Sequence, residues 1–538
     1  MPATGTQRSS RPKFKFLLVS NEPKTAKERE LEVTEIRTHA ARISYRKKET
    51  HVSRGPLSLG AATESPSITT SSSRSSGDSS DSDPDDNSSW VLEKAIGGVR
   101  VDPFNSDSVP GLPAWILDLV DNAWTNAWCT LRTHRHDGLI HPDVYGWRRA
   151  GLTCPALVHA HISGAIGIAL AQGTWTDVKA RLHRTQIYHA NLAIKCVRTE
   201  LVRSNGLPPD ELLLSIMTMS GHGEVVDDDD DRKPSNAFAQ SPLARANRVD
   251  IFAKLRITDA HAQAITTLVG QKGGLDNITL PGFRSLLSLT DILQASIKGT
   301  QPRLPFVGGT ESLVSSGKHV LDHRALESNT TLGTGFEQAG IAGIGPEMYT
   351  AVLAACELTA ALDHFQRNEN HPPLFVDIVE YRKYVQYRLL SLTPVNSDGP
   401  LCNNDDYMYE TCRIALLIYS DLNIWPLPPS THARPRLARQ LRDALGQYGT
   451  GAPETALPAD LLLWLAMMGA IAAHETRHEP YFVDLLARDP RDLSWDIFHS
   501  IVRKYLWCDF VVTPPARHLW FQACMMRPVL NIINSGQQ

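Results

Sequence analysis

Leu461–Pro480, with the sequence LLLWLAMMGAIAAHETRHEP, is the longest apolar stretch of the chain, and it decides the predicted fold. Residues 461–473 include no charged or strongly polar side chain, so a helix formed here is apolar on every side. A helix of that kind is buried in a core. A membrane span needs about 20 apolar residues, so this stretch is too short to cross a bilayer. The sequence therefore predicts a central core helix.

The polar end of this stretch, His474-Glu475-Thr476-Arg477-His478, fits the H-E-x-x-H signature of zinc peptidases. There, two histidines four residues apart bind zinc from one helix face, and the glutamate activates the bound water. With 20 histidines in 538 residues, roughly one chain in twenty-five contains this pattern by chance. We keep a zinc-dependent hydrolase built on His474, Glu475 and His478 as an alternative.

The setting of the motif favours a structural interpretation. Pro480 disfavours a helical backbone at Glu479, which leaves His478 at a fraying helix end. No distinctive third ligand follows downstream. We therefore interpret the segment as the polar end of a helix from Leu461 to His478, where histidine and arginine suit the helix dipole. Neither a metal site nor a cofactor is predicted.

Size and cysteine content point to a large protein with reduced thiols. The chain has 538 residues, 42% of them hydrophobic, so it can bury an extensive core. Its eight cysteines are scattered without a C-x-x-C pair, which favours free buried thiols and a cytosolic or nuclear location. The N-terminus has no apolar segment typical of a secretory signal.

Charge is distributed unevenly along the chain. Residues 1–54 carry 13 of the 54 basic and 6 of the 58 acidic residues, so this arm has a net charge of +7 and the remainder −11. We predict mostly disordered residues 1–24, a basic helix over 25–50, a disordered Ser/Asp-rich linker over 51–90 and an all-helical domain over 91–538. A basic helix can lie along phosphates with salt-dependent affinity. The candidates for contact with DNA or for nuclear import are Arg42, Arg46, Lys47 and Lys48.

The body of the chain reads as all-α, because helical spacing recurs without convincing strand alternation. Gly273 and Gly274 are expected to cap a helix with left-handed backbone. Residues 302–345 are interpreted as a Pro- and Gly-rich connection. We expect Trp464, Trp495 and Trp507 to be buried in one cluster, since large aromatic side chains dominate core energetics. The main predicted helices are Val178–Asn205, Glu347–Phe365, Phe375–Leu392, Asp406–Ile424, Arg434–Tyr448, Leu461–His478, Tyr481–Ala487, Trp495–Trp507 and Leu519–Leu530.

Several short sequence motifs, taken in their order along the chain, resemble those of a known family. The matching words are Asp102-Pro103-Phe104, Pro155–Ala160, His261, Gly273-Gly274-Leu275, Asp291–Pro305, Glu410–Ala415, Leu461–Ala473, Tyr481-Phe482-Val483, Trp495, Leu506-Trp507 and Trp520, together with Phe14–Val19 and Arg37–Lys47 in the arm. Over residues 14–50 and 95–530 the chain resembles the fungal-specific transcription factor domain proteins, whose helical regulatory region often accompanies a zinc-cluster activator.

The resemblance implies a nuclear, non-enzymatic regulator of transcription that works by regulatory packing. A binuclear zinc cluster needs six cysteines near the N-terminus, whereas no cysteine precedes Cys129 here. The expected partners are DNA through the basic arm, the transcription machinery or other regulators, and a second copy of the chain in a homodimer. No membrane partner is expected. A helical interaction scaffold without DNA contact is a further alternative.

Overall fold

The computed structural model describes residues 112–131, 141–151, 153–173, 178–204, 207–225, 240–395, 404–448 and 457–535. All of them belong to one compact unit, Arg100–Gln538. The predictions for residues 1–24, 25–50 and 51–90 lie outside the described residues. So do the four candidates for DNA contact or nuclear import, Arg42, Arg46, Lys47 and Lys48.

The described part of the chain is all-α, which confirms the predicted fold class. Its one strand-like feature is an isolated antiparallel bridge between Val225 and Leu255. The helices are α1 (Ala114–Asn126), α2 (Pro142–Ala150), α3 (Pro155–Ala171), α4 (Lys179–Arg203), α5 (Asp210–Gly221), α6 (Val249–Phe252), α7 (Asp259–Gln271), α8 (Phe283–Lys298), α9 (His323–Thr331), α10 (Thr334–Ile344), α11 (Pro346–Arg367), α12 (Phe375–Ser391), α13 (Asn404–Tyr419), α14 (Ala433–Tyr448), α15 (Ala459–Ala473), α16 (Glu479–Ala487), α17 (Trp495–Val502) and α18 (Asp509–Ser535).

The first core is built around α3, which is buried on nearly every side and packs against α1, α4 and α5. Pro155 occupies its first turn, where a missing backbone N–H costs nothing. Gly164 and Gly167 keep the neighbouring helices close, because a Cβ atom there would lie only 3.0–3.4 Å from side chains such as Trp128 and Gln186. Helices α1 to α5 contribute most of this core, together with parts of α6, α7 and α8.

The second core is built around α15, the helix predicted from the opening apolar stretch. It packs against α10, α13, α14, α16, α17 and α18. Every residue from Leu463 to Ala473 is buried, as the continuous apolar run predicts. Gly469 lets α15 and α16 pack closely, because a Cβ atom there would overlap the ring of Phe482 in α16. The prediction of a central core helix is confirmed.

Three tryptophans belong to the second core in different ways. Trp464 is fully buried and its indole Nε1 donates to the Leu506 carbonyl at 3.0 Å. Trp507 is buried and donates to the Thr513 hydroxyl at 2.9 Å. Trp495 packs against the same cluster but is only partly buried. The predicted burial in one cluster is confirmed for Trp464 and Trp507 and is wrong for Trp495, which lies at the edge of the cluster.

One segment of chain serves both cores. Leu243 and Val249 pack into the second core, whereas Ile251 and Phe252 pack into the first. This segment follows α5 and begins with an irregular 3-10 turn, Pro242–Arg248. It therefore joins the two cores over about a dozen residues.

The interpretation of residues 302–345 as a connection is wrong for its second half, which forms α9 and α10. Their glycine- and threonine-rich sequences have low helix propensity. Two kinds of contact compensate. The Asp322 side chain caps α9 locally by accepting from the Ala325 N–H at 2.8 Å and accepts from Arg367 Nη2 at 2.8 Å, and Phe336 of α10 is fully buried against Trp464. The contacts with Arg367 and Trp464 are remote in sequence.

The predicted glycine cap after α7 is confirmed. Gly273 and Gly274 both have positive φ, and the Gly274 N–H donates to the Val269 carbonyl at 2.9 Å. Among the described residues, no single helix is both long and apolar enough to cross a membrane. The pair α2 and α3, bent by 115°, satisfies that test only when the two are taken together.

Candidate functional site

The H-E-x-x-H segment does not lie on one helix. Helix α15 ends at Ala473, His474 is its C-terminal cap with an extended backbone, and Glu475 has a φ of +60°. His478 precedes α16, in which Pro480 occupies the first turn. The prediction of a helix continuing from Leu461 to His478 is therefore wrong. So is the placement of these histidine and arginine residues in a last helical turn.

The physical reason is a set of contacts that stabilise a tight turn. The Thr476 hydroxyl donates to the Ala473 carbonyl at 2.6 Å, and the Glu475 N–H donates to Glu479 Oε2 at 2.6 Å. His474 Nδ1 lies 3.1 Å from the same carboxylate oxygen. Pro480 starts a helix well, and this favours the beginning of α16 over continuation of α15.

His478 faces a different neighbour from His474. Its Nδ1 atom lies 2.8 Å from Nη1 of Arg442 on α14. Burial and the nearby Arg442 guanidinium lower the pKa of His478, which disfavours a second positive charge. The two motif histidines thus contact an anion and a cation respectively, and both act in joining α15 and α16 to their surroundings. In the part of the chain that the structure describes, no group of three His, Cys, Asp or Glu side chains is arranged to bind a metal ion.

A second group of histidines is buried in the first core. His159 and His189 share a hydrogen bond between their Nδ1 atoms at 3.0 Å, so one ring donates and the other accepts. His161 stacks edge-on against Trp124 at 5.0 Å. His161 and His159, two residues apart on α3, contact different partners, as their spacing predicts.

His222 completes this group, because it is fixed as a neutral ring by two hydrogen bonds. Its Nδ1 atom lies 2.7 Å from the Thr218 carbonyl, and its Nε2 atom accepts from the Trp128 indole at 3.1 Å. Burial lowers the pKa of His161 to about 3 and that of His222 to about 4. These rings are neutral packing groups at neutral pH.

The most distinctive polar feature of the second core is a π-helical turn, Ser420–Ile424, at the end of α13. The Trp425 N–H donates to the Ser420 carbonyl five residues earlier, at 2.7 Å. Such turns widen a helix by one residue and frequently occur at functional sites. Sequence patterns gave one continuous helix, Asp406–Ile424, and did not indicate this turn.

Buried polar side chains converge on the π-helical turn. The Ser420 hydroxyl donates to Gln386 Oε1, and Gln386 Nε2 donates to the Ser296 hydroxyl at 2.9 Å. Asn423 Nδ2 donates to the Tyr419 hydroxyl at 3.0 Å, whereas Asn423 Oδ1 finds no donor among the described residues. The network connects α8, α12 and α13.

Arg382 of α12 is completely buried beside this network. It donates to the carbonyls of Leu243 and Ala246 at 2.9 and 2.7 Å, and its guanidinium lies 4.4 Å from the centre of the Trp425 ring. Burial lowers the pKa of Arg382 to about 9, which leaves the side chain protonated at neutral pH. No carboxylate forms an ion pair with it among the described residues. A buried cation without a paired anion is costly.

A narrow cleft opens next to the π-helical turn. It is partly open to solvent, and its interior volume is about 20 Å³. Four leucines and Ala433 form its apolar walls. Its other lining residues are Ser296, Gly299, Gln386, Asp421, Trp425 and Arg436.

Arg436 lines this cleft beside Gly299. A Cβ atom at the exposed Gly299 would lie 3.1 Å from Arg436 Nη2, so the glycine makes room for the guanidinium. Gly299 also has a φ of +69°, which glycine adopts without strain. Arg436 Nη1 donates to the Ile297 carbonyl at the end of α8, at 2.8 Å. The Arg436 side chain thus caps the C-terminal end of α8 and also lines the cleft.

The residues brought together here differ from those that sequence motifs suggested. Gln386, Trp425 and Arg436 have no motif of their own, and only a proline-rich break after Ile424 marks the region. Comparisons with protein families, with curated proteins and with solved structures find no match to this chain.

Proposed function

We propose that this protein is a non-enzymatic regulator of transcription. In this proposal, the helical body holds a small effector or a partner between its helices, and the basic arm contacts the DNA backbone, directs nuclear import, or does both. The family resemblance supports it, since the regulatory region of such proteins is helical and the described body is all-α. The observation that contributes most is the polar cleft beside the π-helical turn.

The charge of the arm supports a polyanionic partner. A net charge of +7 on residues 1–54 contrasts with −11 on the rest of the chain. Basic side chains that neutralise phosphates release counterions, so affinity for DNA falls steeply with salt and depends little on sequence. Arg42, Arg46, Lys47 and Lys48 are the proposed contacts.

The proposal is tested by replacing Arg42, Arg46, Lys47 and Lys48 with alanine and measuring DNA affinity across a salt series. Each lost phosphate contact reduces the slope of log K against log salt by about 0.9, so the expected reduction is about 3 to 4. A matched control replaces four other basic residues of the arm, Arg8, Arg11, Lys13 and Lys15. An unchanged slope in the first variant would exclude DNA contact through these residues.

Localisation and chromatin mapping of the tagged full chain distinguish a transcription regulator from a helical scaffold that does not contact DNA. A regulator accumulates in the nucleus and is found at defined chromatin sites. A helical scaffold without DNA contact gives no such sites, although it can still bind other regulators. Sedimentation of the same protein tests the proposed homodimer, which doubles the mass of the 538-residue chain.

A further inference from the structure

We propose that the cleft beside Arg436 binds the anionic head group of a small molecule, a carboxylate or a phosphate. Its role as the effector of regulation rests on the function proposed above, whereas the binding itself does not. The site consists of Trp425, Arg436 and Gln386 around the cleft, with Arg382 behind Trp425.

Two buried donors at the cleft find no acceptor among the described residues. Trp425 is 1% exposed, yet its indole Nε1 has no hydrogen-bond partner there. Nε of Arg436 is likewise buried and unpartnered, although Nη1 of the same group reaches the Ile297 carbonyl. An unsatisfied buried donor costs about 1–3 kcal/mol. A ligand oxygen that accepts from either donor would reduce this cost.

The charges around the cleft favour an anion over a neutral acceptor. Arg436 lines the cleft and Arg382 lies behind Trp425, so two positive charges are near it, and no carboxylate in the described part of the chain forms an ion pair with Arg382. The one carboxylate that lines the cleft, Asp421, is already neutralised, because Arg434 Nε donates to its Oδ2 at 2.6 Å and the Leu427 N–H donates to its Oδ1 at 3.1 Å. The local balance is therefore positive. Oxyanions form stronger, charge-assisted hydrogen bonds with such donors.

The size of the cleft limits the ligand to a small head group. Its enclosed part has room for about one water-sized group. This matches one oxygen of the head group, and the rest of the molecule would extend past Gly299, which is exposed. The leucine walls then contact the apolar carbons next to the head group. A large cofactor does not fit.

Calorimetric titration of the purified full-length protein tests this inference with acetate and inorganic phosphate. Acetamide, which has the shape of acetate without its charge, and chloride at equal ionic strength are the reference ligands. We expect heat of binding and a raised melting temperature with acetate, phosphate or both, and none with acetamide. The two anions distinguish a carboxylate site from a phosphate site.

Two variants locate the binding. Trp425→Phe removes the indole donor and keeps an aromatic ring beside Arg382, and Arg436→Gln removes the charge. Loss of a hydrogen bond to a charged ligand weakens binding by at least about tenfold. The matched control is Arg439→Gln, one turn further along α14 and exposed, which should keep wild-type affinity. If Arg436→Gln does not fold, Trp425→Phe decides the question alone.

The proposal is overturned if neither anion binds the wild-type protein beyond the chloride reference, which would mean that the cleft holds water only. It is also overturned if Trp425→Phe binds as tightly as wild type, or if Arg436→Gln and Arg439→Gln behave alike. DNA affinity and chromatin occupancy of the same protein are measured separately. Failure of anion binding is thereby distinguished from failure of the proposed regulatory function.

Discussion

The most distinctive buried polar groups of the two cores differ in charge. The first core takes up ionisable rings as neutral groups: His159, His161, His189 and His222 lie among tryptophans and helix backbones. The second core takes up a charge, because Arg382 is protonated and completely buried. Its carbonyl acceptors come from the segment that joins the cores. Protonation of a buried neutral ring lowers the stability of the folded protein. A buried cation lowers it when the hydrogen-bond acceptors of the cation are removed.

The comparison predicts different weaknesses for the two cores. The first should depend on pH, since protonating a buried ring introduces an unpaired charge. The second should depend on packing and on completeness of its hydrogen bonds. Three substitutions, from the largest expected effect to the smallest, test this difference.

Trp464→Ala should have the largest effect. The side chain is fully buried at the centre of the second core and stacks on Tyr505 at 5.6 Å. Truncating a buried tryptophan costs about 3–5 kcal/mol through lost burial and a residual cavity. Urea unfolding monitored by circular dichroism measures the change. Met525→Ala in α18 is the control, because Met525 is 80% exposed and should change stability by less than about 0.5 kcal/mol.

Arg382→Met should follow, since it preserves much of the side-chain volume and removes the buried charge. Two backbone carbonyls and the Asn247 side chain lose their donor, and we expect a loss of about 2–4 kcal/mol in the free energy of unfolding. Arg388→Met on the same helix is the matched control, since Arg388 is only half-buried. A stabilised Arg382→Met variant would mean that the cation contributes nothing to joining the cores.

His161→Gln tests the pH dependence of the first core. Because the folded pKa of His161 is lowered to about 3, the unfolded chain binds its proton first, near pH 6.5. Stability is therefore lost as the pH falls from about 6.5 towards the folded pKa, at about 1.4 kcal/mol per pH unit for one such group. The variant should show a shallower slope between about pH 6 and 4.

The slope, measured by urea unfolding at several pH values, separates this effect from a constant change in stability. His323→Gln is the control, since His323 is exposed at the start of α9 and should leave the slope unchanged. Equal slopes in wild type and His161→Gln would contradict the account of the first core as a set of neutral buried rings.

Sequence periodicity predicted most of the helical body because long apolar or amphipathic runs coincide with buried faces. Helix α15 is the clearest case, because a helix that is apolar on every side is predicted to be buried in a core. Helices α9 and α10 were missed because their sequences favour turns and their stability depends on Asp322 and Phe336 contacts. The end of α15 was misplaced by five residues, since a turn fixed by Thr476 and Glu479 leaves no periodic signal.

The candidate site was less predictable than the fold. Trp425, Arg436 and Gln386 lie on three separate elements, and no spacing in the sequence relates them. The π-helical turn that brings Trp425 beside Arg382 is invisible to periodicity, because one added residue changes a helix only locally. By contrast, the H-E-x-x-H motif is conspicuous in the sequence, yet it forms a turn in which His474 contacts Glu479 and His478 contacts Arg442. A short motif can match the pattern of a zinc site without the longer-range arrangement that such a site requires.

The segment around Leu243 and Val249 has a consequence for synthesis of the protein. Ribosomes release the chain from its N-terminus, so this segment emerges more than a hundred residues before Arg382 and the helices that cover it. Until Arg382 and these helices are made, the side chains of Leu243 and Val249 and the carbonyls of Leu243 and Ala246 lack their contacts in the second core. We expect the nascent protein to depend on chaperones during this interval, and domain dissection near residue 300 to yield an aggregating fragment.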